Sequence, residues 1–175
     1  NVAIGYDAGT VIDTGSANTA VGVYSCDANT SGDSNTSLGY YSLTQNSTGG
    51  LNTAIGRSAL AANTTADRNT AVGAYAGAGI TTNTYNVAIG DRAMFEGTGA
   101  SNTCVGGLAG YDLSTGATNC LIGHEAGRSD SPSGAVTTAS NRVCIGGNNI
   151  THSYIKVDWT VTSDERDKMN FEEVP

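Results

Sequence analysis

Apolar and small residues recur along the chain with a period of 17. Eight of the nine repeats open with Asn, and each repeat begins as a pentad whose fourth residue is Ile, Val or Leu and whose fifth is Gly. A period of this length is typical of solenoids, in which each repeat forms one coil that stacks on its neighbours. The pentads begin at Asn1, Asn18, Asn35, Asn52, Asn69, Asn86, Asn102 and Asn119, and a ninth copy, RVCIG, begins at Arg142.

The pentad predicts a short strand, and we number the positions of each coil from its Asn. Positions two and four lie on one face of a strand, and the residue between them lies on the other. Position four is always branched and aliphatic, so we expect this face to line the coil interior. Position three is mostly Ala or Ser, so we expect it to lie against a close neighbour, another chain.

Two further columns complete the coil. Position eight is small in the eight copies in which it is defined, which predicts a second strand packed against the first. Stretches rich in Gly, Thr, Asp and Ser, such as STGGL and STGAT, predict an outer turn. The Asn side chains of position one are expected to stack amide on amide along the axis. The chain is therefore predicted to be an all-β, parallel β-solenoid with 17-residue coils.

The period also sets the domain boundaries. Residues 1–149 are predicted to form the solenoid, with a loop inserted at 128–140. Residues 150–162 alternate between apolar and polar side chains, through Ile155, Val157, Trp159 and Val161, and predict a strand that caps the solenoid end. The chain begins without Met and ends abruptly, so we expect a piece of a longer protein.

Composition and charge narrow the function classes. A net charge of −8 and only two lysines argue against a nucleic-acid partner. No apolar run is long enough to cross a bilayer, so no membrane insertion is expected. The four cysteines lack CxxC spacing and His124 and His152 stand alone, which predicts free thiols and neither a metal nor a cofactor.

The pentad N-[VT]-A-[IV]-G resembles the head repeat of trimeric autotransporter adhesins. The resemblance extends over residues 1 to about 127, although those heads use a shorter period. It implies a left-handed β-roll that assembles as a homotrimer. We expect the small-residue face to be turned toward the threefold axis, because thin coils with few large side chains gain from association.

The C-terminal stretch TSDERDK resembles the junction at which the intramolecular chaperone of phage tail fibres, tailspikes and endosialidases begins. Residues 163–175 would then be the start of this chaperone. In that family a Ser and a Lys five residues later carry out self-cleavage, and Ser163 and Lys168 match this spacing. The resemblance implies that Lys168 accepts the proton of the Ser163 hydroxyl, which attacks the backbone. We expect no cleavage without the rest of the chaperone.

Five tyrosines follow the pentad glycines of the first five coils and are candidates for stacking on a host glycan: Tyr6, Tyr24, Tyr40, Tyr41 and Tyr75. The alternative is that they cover strand edges or fill the trimer interface. We therefore predict the distal part of a phage tail fibre or tailspike, located in the virion, that binds a host receptor. An adhesin head on a bacterial surface and a self-processing protease fragment are the alternatives.

Overall fold

The computed structural model describes residues 1–131, 133–147 and 150–151. Nine three-residue strands form a single parallel sheet in chain order, and no helix occurs in these ranges. The predicted all-β parallel solenoid with 17-residue coils is therefore confirmed. The strands are β1 (Val2–Ile4), β2 (Thr19–Val21), β3 (Thr36–Leu38), β4 (Thr53–Ile55), β5 (Thr70–Val72), β6 (Val87–Ile89), β7 (Thr103–Val105), β8 (Cys120–Ile122) and β9 (Val143–Ile145).

The repeat period fixes the register of the sheet. Val2 pairs with Thr19, and each of the strands β1 to β5 pairs with the next strand 17 residues further on, as in Thr53 with Thr70. The coil of β6 is one residue shorter, because Val87 pairs with Thr103. The last pair joins Cys120 to Val143, since residues 128–140 lie between β8 and β9. At about 4.8 Å per step the sheet is on the order of 40 Å long.

The structure reverses the predicted faces of the strand. The middle residues of β2, β4, β5 and β6 are alanines with no exposed surface, so the small column lies inside the coil. A Cβ added to Gly77 at position nine would lie 3.7 Å from the Cβ of Ala71 at position three. The close neighbour that requires a small residue is therefore the opposite wall of the same coil and not another chain.

Positions two and four consequently face outward, and the predicted buried aliphatic column was wrong. Ile4 is 60% exposed, Leu38 46% and Ile145 63%. We call this surface the outer stripe. It consists of Val2, Ile4, Thr19, Val21, Thr36, Leu38, Thr53, Ile55, Thr70, Val72, Val87, Ile89, Thr103, Val105, Cys120, Ile122, Val143 and Ile145.

The predicted second strand was also wrong, although its small residues are buried as expected. Positions seven and nine are left-handed, as shown by Tyr41 with φ 55° and Leu43 with φ 52°, and this breaks an extended conformation. Neighbouring coils still bond to each other here, since the Leu43 N–H donates to the Ala59 carbonyl at 2.9 Å. The segment is thus a stacked turn with the hydrogen bonding of a parallel ladder.

Most coil interiors hold about one large apolar side chain, supplied from position nine or position twelve, whereas in the coil of β8 it is Leu121 at position three. Leu60 at position nine accompanies Asn63 at position twelve, whereas Gly77 accompanies Ile80. A Cβ on Gly77 would approach the Ile80 Cδ1 to 3.0 Å, so the two positions compete for the same space. The coil is too thin for two large residues, which explains the alternation.

The asparagines of position one form the amide ladder that the repeat predicted. The Asn52 side chain donates to the Ala66 carbonyl at 2.8 Å, and its oxygen accepts from the Asn69 backbone N–H at 3.0 Å. Its amide also donates to the Asn35 side-chain oxygen at 3.1 Å. Asn18 to Asn119 in this column are at most 2% exposed, so the bonds are made away from water.

We expect Asn52→Ala to destabilise the solenoid by about 1–3 kcal/mol, the cost of one buried backbone group without a hydrogen bond. This group is the Asn69 N–H, which loses the Asn52 side-chain oxygen. The Ala66 carbonyl keeps a second donor, the Asn63 side-chain amide at 3.1 Å. Chemical denaturation followed by circular dichroism measures the loss. Gln45→Ala, on the exposed side of the preceding coil, is the control and should change stability by less than about 0.5 kcal/mol. Similar effects of the two variants would contradict a stabilising role of the ladder.

Candidate functional site

Four of the five predicted glycan-contact tyrosines form one cluster. The rings of Tyr24 and Tyr41 stack with centroids 4.9 Å apart and planes inclined by 29°. Tyr6 meets Tyr24 edge to face at 5.6 Å, and Tyr40 meets Tyr41 in the same way at 4.3 Å. Tyr6 and Tyr40 are 67% and 47% exposed. The cluster therefore presents aromatic surface to solvent on the first three coils.

The repeat places these rings by stacking positions six and seven of successive coils. The N–H of position seven donates to the carbonyl of position six in the preceding coil, as in Tyr24 to Tyr6 at 2.9 Å and Tyr75 to Arg57 at 2.8 Å. Position seven is left-handed, with φ 54° at Tyr24 and 57° at Tyr75. The rings are thus fixed to a hydrogen-bonded backbone and not to a free loop.

Tyr75 is connected to the cluster through an arginine. The Arg57 guanidinium carbon lies 6.0 Å from the Tyr40 ring centroid and 5.3 Å from that of Tyr75. Arg92 approaches Tyr75 as well, at 5.7 Å. These distances are typical of cation–π contacts. Arg57 is exposed, and no carboxylate of the described residues lies within ion-pair distance of it.

Aromatic contacts continue along the solenoid beyond Tyr75. Phe95 meets Tyr75 at 6.2 Å and stacks on Tyr111 at 5.2 Å, while Arg128 lies 5.4 Å from the Tyr111 ring. Arg128 also pairs with Glu125 at 2.8 Å. We call the whole row the aromatic ridge. Its members are Tyr6, Tyr24, Tyr40, Tyr41, Arg57, Tyr75, Arg92, Phe95, Tyr111 and Arg128.

Sequence reasoning missed the arginines, Phe95 and Tyr111. Arg57 could have been found, because it follows Tyr40 by one full period and must lie beside it in a solenoid. Phe95 and Tyr111 occupy position ten, whereas Tyr75 occupies position seven. Only the left-handed turn at positions seven to nine brings these two columns together, and the sequence carried no signal for that turn.

Two hydroxyls at the centre of the cluster, those of Tyr24 and Tyr41, have raised pKa values. Desolvation raises the pKa of Tyr24 above its ordinary value, and the nearby Tyr6 adds to the effect. Desolvation and a hydrogen bond with Tyr40 raise the pKa of Tyr41 in the same direction. Tyr24 and Tyr41 therefore offer ring faces and neutral hydroxyl groups to a ligand, whereas Arg57 supplies positive charge beside the cluster.

The other candidate residues fall outside this surface. Ser163 and Lys168 lie outside the described residues, so the self-cleavage dyad stays a prediction, as does most of the capping strand.

All four cysteines are free, as predicted. Burial raises the pKa of Cys26 and of Cys104 to about 12. Within the described ranges no group of His, Cys, Asp and Glu could hold a metal ion, and no helix could cross a membrane.

Comparison of the chain with known protein families, with curated proteins and with solved structures gave no match in any of the three.

Proposed function

We propose that this chain is the distal part of a phage tail fibre or tailspike, a homotrimeric rod that attaches the virion to the host surface. The observation that carries the proposal is the outer stripe. It contains no charged residue along all nine strands, and the aliphatic side chain at position four is exposed in five coils and half-buried in the other four. Uncharged, apolar surfaces of such length mark protein–protein interfaces.

We propose that two further copies of the same chain cover the outer stripe. The stripe runs along the whole sheet and is only as wide as a three-residue strand. Parallel rods packed around a common axis cover such a surface on every copy and leave no open end for further growth. The pentad's resemblance to trimeric adhesin heads favours three copies. The aliphatic face, and not the small-residue face, is then turned toward the axis.

The host-attachment part of the proposal is supported by the aromatic ridge and by the resemblance of the TSDERDK stretch to tail-fibre chaperone junctions. A bacterial adhesin head is the second candidate, favoured by the pentad.

Cell binding tests host attachment. Labelled protein is expected to bind intact cells of at least one strain in a bacterial panel, with saturable binding that an excess of unlabelled protein abolishes. If a protein shown to be trimeric binds no strain, host attachment by this segment is contradicted.

Assembly can be tested with the chain's own thiols. Light scattering is expected to give three times the 17.7 kDa chain mass. Cys120 lies on the outer stripe and is half-buried, whereas Cys26, Cys104 and Cys144 are buried. A short bis-maleimide should therefore join Cys120 between chains and give covalent dimers on a denaturing gel.

Two controls identify the face that meets the partner. Cys120→Ser should remove the cross-link. Thr65→Cys in that background moves the thiol to an exposed turn away from the stripe and should not restore it. Cross-linking through residue 65 but not through Cys120 would contradict the interface that we propose, and a mass equal to one chain would contradict assembly altogether.

A further inference from the structure

Arg57 is held between two aromatic rings with its charge uncompensated. Its guanidinium carbon lies 6.0 Å from the Tyr40 centroid and 5.3 Å from the Tyr75 centroid. The other two arginines of the aromatic ridge have carboxylate partners, since Arg92 contacts Asp91 at 3.4 Å and Arg128 contacts Glu125 at 2.8 Å. Within the described part of the chain, Arg57 alone on the ridge has none.

In the ranges that the structure describes, no hydrogen-bond acceptor and no carboxylate takes up the N–H donors of the Arg57 side chain, which lies over the Tyr40 and Tyr75 rings. A guanidinium edge presents parallel donors that match the two oxygens of a carboxylate or the oxygens of a sulfate. Contact with aromatic faces limits the rotamers of the side chain, so less freedom is lost when an anion binds. Arg57 is exposed, and an anion can reach it without any rearrangement of the coil.

The neighbouring tyrosines provide the second half of a saccharide site. Tyr40 is 47% exposed and lies directly beside Arg57, and its ring centroid is 4.3 Å from that of Tyr41. Aromatic rings pack against the apolar face of a pyranose while their hydroxyls bond to its polar edge. An apolar ring face and an anion-binding edge therefore adjoin each other within one coil step.

We propose that Tyr40, Arg57 and Tyr75 form a binding site for an acidic saccharide, with the sugar ring on Tyr40 and its carboxylate or sulfate on Arg57. The site deepens the proposed host attachment and rests on it. Elsewhere the chain is acidic, with a net charge of −8, so an anionic ligand is repelled from other parts of the surface. A trimer carries three such sites, and a polymeric glycan that spans them gains avidity.

Calorimetry with defined oligosaccharides tests this site. The probes are trigalacturonate for the carboxylate, a sulfated chondroitin disaccharide for the sulfate, and maltotriose as the neutral reference. We expect at least one acidic probe to bind about tenfold or more tightly than maltotriose, and the stronger of the two identifies the anion. Arg57→Ala should remove this advantage, a loss of about tenfold that brings the affinity for the acidic probe to the level of maltotriose.

Arg68→Ala is a matched control. The Arg68 guanidinium lies 5.5 Å from the Tyr85 ring, a geometry similar to that of Arg57, but it donates to the Tyr85 hydroxyl at 2.9 Å and lies on another turn. Its removal should not change acidic-probe binding. Equal affinities for acidic and neutral probes, or equal effects of the two arginine variants, would overturn the site. So would dissociation of the trimer by Arg57→Ala, because Arg57 would then be an assembly residue.

The acidic-saccharide site and the proposed host attachment can fail independently of each other. If the protein binds cells but none of the probes, the acidic-saccharide site is wrong and attachment stands. If Arg57-dependent probe binding is found without any binding to cells, the site stands and attachment is contradicted.

Discussion

Ala71→Trp is expected to abolish folding of the solenoid around β5, the largest effect of any single substitution that we foresee. Ala71 has no exposed surface and lies between Ala54 and Ala88 in the register of the sheet. The opposite wall is equally close, since a Cβ on Gly77 would come within 3.7 Å of the Ala71 Cβ. Overpacking typically costs roughly 1–3 kcal/mol, and an indole at a site without any free volume lies at or beyond that upper end.

The repeat architecture increases this effect. Each coil of a solenoid contacts only its immediate neighbours. A misfolded coil therefore loses its favourable interfaces with both the preceding and the following coil. Thermal unfolding followed by circular dichroism should show a large fall in Tm or no cooperative transition. Thr82→Trp on the exposed outer turn is the control, with an expected change below about 0.5 kcal/mol. Equal melting of the two variants would refute the assignment of position three to the coil interior.

Ala71 shows which features of the fold could be predicted from the sequence and which could not. The 17-residue period predicted the strands, their parallel order and the register, because identical side chains gain most when they stack directly on one another. It also predicted the asparagine ladder. The period-two spacing placed positions two and four on a common face but carried no information on which face is inside. Ala was assigned to a neighbouring chain, whereas a wall of the same coil requires the small side chain.

The functional surface was predictable to a similar extent. Tyrosines 17 residues apart, such as Tyr24 and Tyr41, had to meet in a solenoid, and their cluster follows from the repeat. Contacts between different columns depend on the backbone path inside the coil. Position nine is left-handed even where it carries a bulky residue, as in Leu60 with φ 50°, and such residues rarely adopt this conformation. Propensities therefore gave no indication of the turn that brings Phe95 beside Tyr75.

Val72→Asp is expected to dissociate the trimer without unfolding the coil. Val72 belongs to the outer stripe, at position four of β5, and its side chain is half-buried in the single chain. In the proposed trimer three copies of this residue face one axis, so the substitution brings three carboxylates together in an apolar interface. Burying an unpaired charge costs several kcal/mol per ion, and mutual repulsion adds to it. Sedimentation at neutral pH should show single chains with an unchanged circular dichroism spectrum.

Lowering the pH should restore the trimer of the Val72→Asp protein, because protonation of the introduced carboxyls favours the trimer over separate chains. Burial and like charges raise the pKa of each introduced carboxyl in the trimer above its value in the free chain. The trimer therefore binds more protons than the separated chains, and its stability increases as the pH falls toward and below the ordinary Asp pKa of about 3.9. Val72→Thr, which keeps the shape and adds no charge, should remain trimeric at neutral pH, as Thr is common on the stripe. A Val72→Asp protein that stays trimeric at neutral pH would show that the outer stripe does not face the axis, and the interface would then have to be sought on another side of the rod.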